Sequence, residues 1–498
     1  MHAIVVGGGI GGLATARGLR LGGWDVTVLE RQPRLEAAGA GLSLWPNALR
    51  ALDWLGVGDR VRAAGAPITN GGLRTARGTW LARGAMSGPI VVHRADLHEI
   101  LADGLHVRTG VNVTDVHALE ADLIVGADGI GSVVRAAYAP DARIRNSGQV
   151  SWRAVTTTGP AVPYGSGDDD GNGGSDGGDG DGDHGDHGDG DHGDDGDGDH
   201  GDHGDGDHGD HGDGDHGDHG DGDHGDHGDG GDGGDGDHGD DHGDGDHGDD
   251  RDSGSDRGDG SSGGHRTSSS SNGGSSSDGG GGGGGGGVSG GGETIGPHGL
   301  RFGYLSMGSR GVYWYAVAPA PLRTTTKAEQ LSELQRLFGD WHEPIPQLLA
   351  ATDSRTLLHH PLLDLHPVAP MRFGERVALV GDAAHAMTPN LGQGACQALE
   401  DAVTLAALMP HATANTPAPP ELGALVAGAL AEYDRIRRPR VALVAWRSWQ
   451  VGRLAGARGV VGGAVLRTLA WLTPAKLTVR GAERISAWEP PTRAADGR

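Results

Sequence analysis

Residues 3–12 read Ala3-Ile4-Val5-Val6-Gly7-Gly8-Gly9-Ile10-Gly11-Gly12, and this stretch decides the fold. Ala3 to Gly7 is a short β-branched run ended by glycine, the pattern of a strand buried on both faces of a parallel sheet. From Ile10 to Leu21 the apolar residues Leu13, Ala16 and Leu19 recur at helical spacing. Asp25 to Glu30 forms a second strand, giving a β-α-β unit of about thirty residues. Gly7-x-Gly9-x-x-Gly12 has dinucleotide-binding spacing: Gly7 for the tight turn, Gly9 for backbone approach to a pyrophosphate, Gly12 for close helix–strand packing. The phosphates belong at the helix N-terminus, where free N–H groups favour an anion. Glu30, at the end of the second strand, is placed to accept hydrogen bonds from a ribose 2′-OH.

A second segment, far along the chain, complements the first. Arg376 to Gly381 is another apolar strand, and it runs into Asp382, then Pro389-Asn390-Leu391-Gly392-Gln393-Gly394, with a long helix from about Gly394 to Leu408. Asp382 suits either a helix N-cap or an acceptor for ribityl hydroxyls. Gly392 and Gly394 allow close approach to a flat ring, and a helix beginning near Cys396 would favour negative charge there. Ala121 to Gly126, followed by Ala127-Asp128-Gly129, adds one more buried strand. Strands alternating with helices indicate a parallel α/β sheet. By contrast, Ile68–Trp80, Val150–Thr158 and Leu300–Ala318 are rich in β-branched and aromatic residues, suited to an antiparallel sheet. Glu421 to Ala455 is helical, and Leu466 to Trp471 could add another turn.

The chain has 498 residues and formal net charge −28, but that charge is unevenly placed. Residues 165–292 hold 38 Asp, 15 His and three Arg, with no Glu or Lys. This stretch alone carries −35, which leaves the remaining 370 residues at +7. With almost no apolar side chain it cannot offset the cost of ordering and is expected to be a disordered insert. Its Asp and His side chains admit a weak metal-binding reading beside that of a solvated polyanion, and its charge excludes nucleic acid as a partner. The rest suffices for two domains. The single cysteine, Cys396, precludes an internal disulfide and fits a cytoplasmic location. No signal peptide or membrane-spanning run is expected.

These features give an α/β fold class: a Rossmann-type domain, an antiparallel-sheet substrate domain, C-terminal helices and the Gly/Asp/His insert. The expected boundaries are 1–67, 94–150 and 368–410 for the first domain, and 68–93, 151–164 and 293–367 for the second. The insert is 165–292 and the helical region 411–498.

Gly7 to Gly12 with Glu30, Ala127-Asp128-Gly129 with Arg135, and Gly381-Asp382 through Gly394 resemble the FAD-dependent aromatic hydroxylases. These are single-component flavoprotein monooxygenases of the p-hydroxybenzoate, salicylate and urate hydroxylase type. Gly41-Leu42-Ser43-Leu44-Trp45-Pro46-Asn47 and His93-Arg94-Ala95-Asp96-Leu97 support the match. The resemblance implies FAD contacts from Gly7, Gly9, Gly11, Gly12, Glu30, Arg31, Ser43, Arg94, Val113 and Asp128. It implies others from Asp382, Pro389, Gly392, Gln393, Gly394, Ala395 and Cys396. It also implies NADH or NADPH as a transient co-substrate, O2, and a C4a-hydroperoxyflavin that hydroxylates a small aromatic or polycyclic substrate.

No resident metal is implied. Arg301 and Tyr313 match positions that contact substrate in the urate-hydroxylating members. Asn390 departs from those enzymes, which carry an acidic residue there. Trp152, Trp314 and Tyr315 could line a substrate pocket. His385 reads as structural and Cys396 as a packed side chain. The Arg-rich helix with Trp446 and Trp449 should pack its Trp side inward and expose its Arg, so no membrane contact is expected. Two rival readings remain at this level: a flavoprotein oxidase or reductase without oxygen insertion, and a metal-binding protein on a degenerate flavin fold.

Overall fold

The structure, a computed structural model, describes residues 1–35, 39–86, 88–157, 290–320, 326–411, 418–456 and 484–492. The insert between Thr157 and Gly290, the 466–471 segment and Arg458 lie outside these. In chain order the elements begin with β1 (His2–Val6), α1 (Ile10–Leu21), β2 (Asp25–Glu30), β3 (Gly41–Leu44), α2 (Pro46–Trp54) and α3 (Gly58–Ala64). Next come β4 (Ala66–Pro67), β5 (Asn70–Thr75), β6 (Trp80–Ala85), β7 (Ile90–His93), α4 (Arg94–Ala102) and β8 (Val107–Thr109). They continue with β9 (Leu123–Gly126), α5 (Val133–Tyr138), β10 (Arg143–Thr156), β11 (Gly291–Ile295), β12 (Arg301–Ser306) and β13 (Val312–Pro319). The last are α6 (Lys327–Phe338), α7 (Ile345–Ala350), β14 (Leu358–His366), β15 (Arg372–Phe373), β16 (Val377–Leu379), α8 (Asp382–His385), α9 (Gly394–Leu408) and α10 (Pro419–Ala455).

The first sheet has the order β15-β16-β9-β1-β2-β8, with all neighbours parallel except the β15–β16 edge. From β1 the chain steps to β2 on one side, while β9 and β16 lie on the other. That reversal is a topological switch point, where doubly wound sheets hold ligands beyond the carboxyl ends of their strands. The Gly7 turn leaves β1 there and the Gly381 turn leaves β16, two strand spacings or about 10 Å away.

What closes the gap is the packing of α1 on α9. A Cβ on Gly18 would lie 2.7 Å from the Ala406 Cβ, and one on Gly11 would lie 3.4 Å from the Ala398 Cβ. Glycine and alanine therefore let the two helices, from opposite ends of the chain, approach without side chains between them.

The second sheet runs β14-β10-β13-β12-β11-β5-β6. It is antiparallel apart from one parallel pair, β11 with β5. Side chains alternate between its two faces along the paired stretches of β10, β12 and β13. Trp152, Phe302, Trp314 and Ala316 face a core capped by α6 and α7, with Phe302 stacked on Trp314. Trp152 and Trp314 therefore cannot line a pocket on the other face, contrary to the sequence expectation, whereas Tyr315 does. A third, small sheet joins β3, β7 and β4.

The long helix α10 also corrects the sequence reading. Arg437 is fully buried and Trp446 is 53% exposed. Trp449 sits with the guanidinium groups of Arg145 and Arg453 at 4.8 and 4.9 Å from its ring. Arg437 turns inward because α9 offers it two buried acids. Its Nε donates to Asp401 Oδ1 at 2.8 Å, it pairs with Glu400, and Nη2 donates to Gln397 Oε1. Arg440 also reaches Glu400, at 2.6 Å. Asp401 Oδ2 accepts from Gly381 N at 2.9 Å and lies 2.5 Å from His385 Nε2. His385 is fully buried against Asp401 and does not border the cleft.

Burial alone would raise the Asp401 pKa, but His385 and Arg437 outweigh it and hold the carboxyl at about 2. A folded pKa below the ~3.9 of a free Asp means that its stabilisation is complete above about pH 4 and is lost as pH falls toward 2. Asp401→Asn should therefore cost about 3 kcal/mol at pH 7 and flatten the stability profile between pH 4 and 2. Denaturant titration across pH measures both. A variant as stable as the parent at neutral pH would contradict this account.

Candidate functional site

A cleft of about 640 Å³ lies beyond the carboxyl ends of β1 and β16. The Gly9 turn and the Gly381–Gly394 segment both line it, with the second sheet as the opposite wall. Gly9, Gly11, Ser43, Arg94, Asp382, Pro389, Gly392, Gln393, Gly394 and Ala395 all border this space. A Cβ on Gly9 would meet no protein atom within 4 Å, so the glycine leaves the open side of the turn free for a ligand. Gly7 and Gly12 do different work. A Cβ on Gly7 (φ +108°) would lie 2.4 Å from Ala127 O, and one on Gly12 would lie 2.0 Å from Gly7 O. They permit the turn itself and do not border the cleft.

Glu30 lines a smaller adjoining cleft of about 240 Å³, which shares Gly9, Arg94 and Arg153 with the larger one. Its Oε2 accepts from Gly8 N at 2.7 Å and its Oε1 from Gln32 N at 2.8 Å. The carboxylate is thereby fixed beside the pyrophosphate turn. Arg31 is exposed just beyond β2. Val113 packs against the edge of the parallel-sheet core, away from the larger cleft. Asp128 Oδ2 accepts from Val133 N and Val134 N in the first turn of α5, at 2.7 and 3.3 Å, while Gly129 faces the cleft.

In the second half, Gly381 rather than Asp382 is the N-cap of α8. Its φ of +59° favours glycine, and it leaves Asp382 exposed toward the cleft. Arg94 faces the same space. Desolvation by the cleft walls lowers its pKa, and Asp382 acts in the opposite sense. The helix α9 starts at Gly394, where the sequence places the start of the long helix, with Gly394, Ala395 and Ala398 toward the cleft. Its N-terminal N–H groups favour an electron-rich ligand edge. Cys396 is buried behind them, and burial pushes its thiol up to about 12. Trp45 Nε1 is a buried indole N–H without a partner that borders the cleft beside Gly392.

The sheet wall is built from cross-strand rows. Gly291, Leu305 and Tyr313 form one row; Glu293, Gly303, Tyr315 and Arg153 the next; Arg301, Val317 and Ser151 the third. All but Gly303 border the cleft, and Gly303 makes room for the Tyr315 ring, which a Cβ there would meet at 2.2 Å. Arg301 Nη2 donates to Asn390 Oδ1 at 2.8 Å, and Tyr313 borders the same cleft, so the three substrate-side residues read from sequence face one space. Glu293, Arg153 and Trp45 were not singled out in the sequence. Strand register could have found Glu293 and Arg153, since both fall in the row of Tyr315.

Among the described residues no cluster of His, Cys, Asp and Glu could hold a metal ion, and no helix is long and apolar enough to cross a membrane.

A parallel sheet with two Gly-rich turns facing one cleft, closed by a mixed sheet, defines a dinucleotide-dependent oxidoreductase. Residues 1–86 and 301–447 match the FAD binding domain family. The chain is 27% identical to the aurachin C monooxygenase/isomerase of Stigmatella aurantiaca, over 91% of this chain and 89% of that protein. It is 23% identical to the FAD-dependent urate hydroxylase of Klebsiella pneumoniae, over 89% and 87%. The crystal structure of Klebsiella pneumoniae HpxO with FAD and uric acid shares the fold, with TM-score 0.65 and 20% identity over 98% of this chain and 97% of that one. The chain is thus similar to the FAD-dependent aromatic-hydroxylase-type monooxygenases, and its cofactor is FAD.

The cleft fits that cofactor: an open glycine turn, a fixed carboxylate beside it, and helix N–H groups at the far end. Gly9→Val would place two methyl groups in the space the pyrophosphate needs. The purified variant should have lost nearly all flavin absorbance near 450 nm while keeping its circular dichroism; full retention would remove Gly9 from the cradle. The Cys396 thiol should resist alkylation at pH 8 until the protein is unfolded, and mass spectrometry after iodoacetamide reads this directly. Rapid labelling of native protein would contradict its burial.

Proposed function

We propose that this protein is an FAD-dependent monooxygenase that uses NADH or NADPH and O2 to hydroxylate a small aromatic or polycyclic ring. The observation that carries the reading is the shared cleft. Two Gly-rich turns from opposite ends of the chain face one space, and a wall of ring-sized polar and aromatic side chains faces them across it. When bound, FAD supplies the redox chemistry: it takes a hydride from reduced nicotinamide and passes one atom of O2 to the substrate.

The chain's own residues bind, orient and exclude water. The Gly9 turn and the N-terminus of α1 hold the pyrophosphate, and Glu30 accepts from the ribose. Asp382 accepts from the polyol between the two ends. Ile68, Met86 and Leu305 line the cleft with apolar surface, which displaces water from the reaction space. Tyr313 stays protonated: burial raises its pKa, with Arg153 and Arg94 opposing. It can therefore donate to a ring oxygen at any ordinary pH.

The test is to reconstitute the protein with FAD and present phenolic, purine and quinolone compounds with NADH or NADPH. At least one should accelerate flavin reduction and give a product heavier by one oxygen atom, labelled by ¹⁸O2. Nicotinamide consumption that yields only hydrogen peroxide across the whole set would instead identify an oxidase or reductase.

A further inference from the structure

We propose that Glu293 sets substrate class: it selects an uncharged ring bearing an O–H or ring N–H donor and discriminates against ring carboxylates. The inference rests on the monooxygenase reading and concerns the substrate wall of the same cleft. Nothing in the sequence marks Glu293, because it stands at the end of a glycine-rich stretch.

Its position is set by strand register. Glu293 pairs with Gly303, and Gly303 with Tyr315, across three adjacent strands. With no side chain on Gly303, the Tyr315 ring lies between strands, and its hydroxyl hydrogen-bonds Glu293. Burial first, and the Glu293 carboxylate second, raise the Tyr315 pKa well above its ordinary value, so the phenol keeps its proton and donates it. From the neighbouring row, Arg301 Nη1 lies 3.3 Å from Glu293 Oε1. The Arg301 side chain is 4% exposed, whereas that of Glu293 is 29% exposed and borders the cleft. A carboxylate has about four acceptor sites; Tyr315 and Arg301 engage two, and the side chain borders the cleft.

The chemistry of Arg301 is already committed. One arm serves Glu293 and another donates to Asn390 Oδ1. Asn390 cannot turn its amide to compete, because its Nδ2 donates to Thr388 Oγ1 and Ser448 O, both at 2.9 Å. An anionic substrate drawn to this guanidinium would bring its carboxylate against that of Glu293, a like-charge contact. Arg94 and Arg153 border both clefts and so lie at the junction with the dinucleotide arm. Asp382, the other acid on the larger cleft, stands on the cofactor wall. What Glu293 offers is an acceptor for a neutral donor. A hydroxyl or ring N–H held there orients the ring and, as oxygen is transferred, can release its proton to the carboxylate while the ring keeps the electron pair.

The experiment compares 4-hydroxyquinoline with its 2-carboxylate on the FAD-loaded full chain at pH 7.5. Binding is read from perturbation of the flavin spectrum and by calorimetry. The protein should bind 4-hydroxyquinoline about ten-fold or more tighter, the scale of one charge-assisted hydrogen bond. Glu293→Gln keeps shape and removes charge. It should retain flavin and lose most of that preference, through weaker binding of the neutral ring and stronger binding of the carboxylate. Equal or reversed affinities in the parent, binding of neither compound, or an unchanged ratio in Glu293→Gln would overturn the assignment. If Glu293→Gln fails to hold flavin, the parent's preference between the two compounds still decides. A parent protein that takes up no FAD would instead sink the monooxygenase reading itself.

Discussion

The close crossing of α1 on α9 is the constraint on which the site depends. A Gly-rich turn alone makes a half-site, and this chain brings its second half from nearly four hundred residues away. Two features bring them together. Gly11 and Gly18 remove side chains at the points where Ala398 and Ala406 approach. The pairing of β16 with β9, and of β9 with β1, fixes the strands that deliver the turns. Larger residues at either glycine would push the helices apart and open the cleft at its base, because a packed interior transmits displacement rather than absorbing it.

The other side of α9 carries the second constraint. Glu400 and Asp401 are buried with Arg437 from α10, and Asp401 also binds the backbone of Gly381. Burying these charges is costly, and an isosteric apolar cluster would often be as stable. The arrangement does something an apolar cluster could not: one carboxylate holds a main-chain N–H in the strained turn that presents Asp382. Tyr433 adds a tie from α10 to Leu379 O at the end of β16. The C-terminal helix is therefore part of the cofactor wall's support, although it does not border the cleft.

Much of this was legible in the sequence because it rests on local rules. β1, α1 and β2 followed from β-branched runs and helical spacing, and α9 and α10 from periodicity, with α1, β2 and α9 at their expected bounds and β1 and α10 within two residues of them. The family resemblance put Arg301, Tyr313 and Asn390 near one another, which no local pattern does. What escaped depends on long-range pairing. Trp152 and Trp314 read as pocket residues because aromatic character does not say which face of a sheet a residue occupies; only the register of β10 against β13 does. Arg437 looked like one member of a solvated arginine row. Its burial is decided by Glu400 and Asp401 on another helix, and an arginine is identical in sequence whether it meets water or a carboxylate.

Glu293 shows how the same reasoning bears on the long insert. The strands flanking it, β10 and β11, are not neighbours: β13 and β12 lie between them. The register of β11 is fixed by its pairing with β12 on one side and β5 on the other, not by the connection that precedes it. Lengthening a connection from ten to 128 residues costs only about 2 kcal/mol of closure entropy. A sheet that sets β11 by two ladders can accept that cost without shifting the row that holds Glu293, Gly303 and Tyr315. The ladder even takes in Gly291 and Gly292, the last residues of the glycine-rich stretch, where a Cβ on Gly291 would strike Leu305 at 2.3 Å. The substrate wall is thus specified by strand pairing from Gly291 onward, and the two ladders of β11 fix the row that holds Glu293.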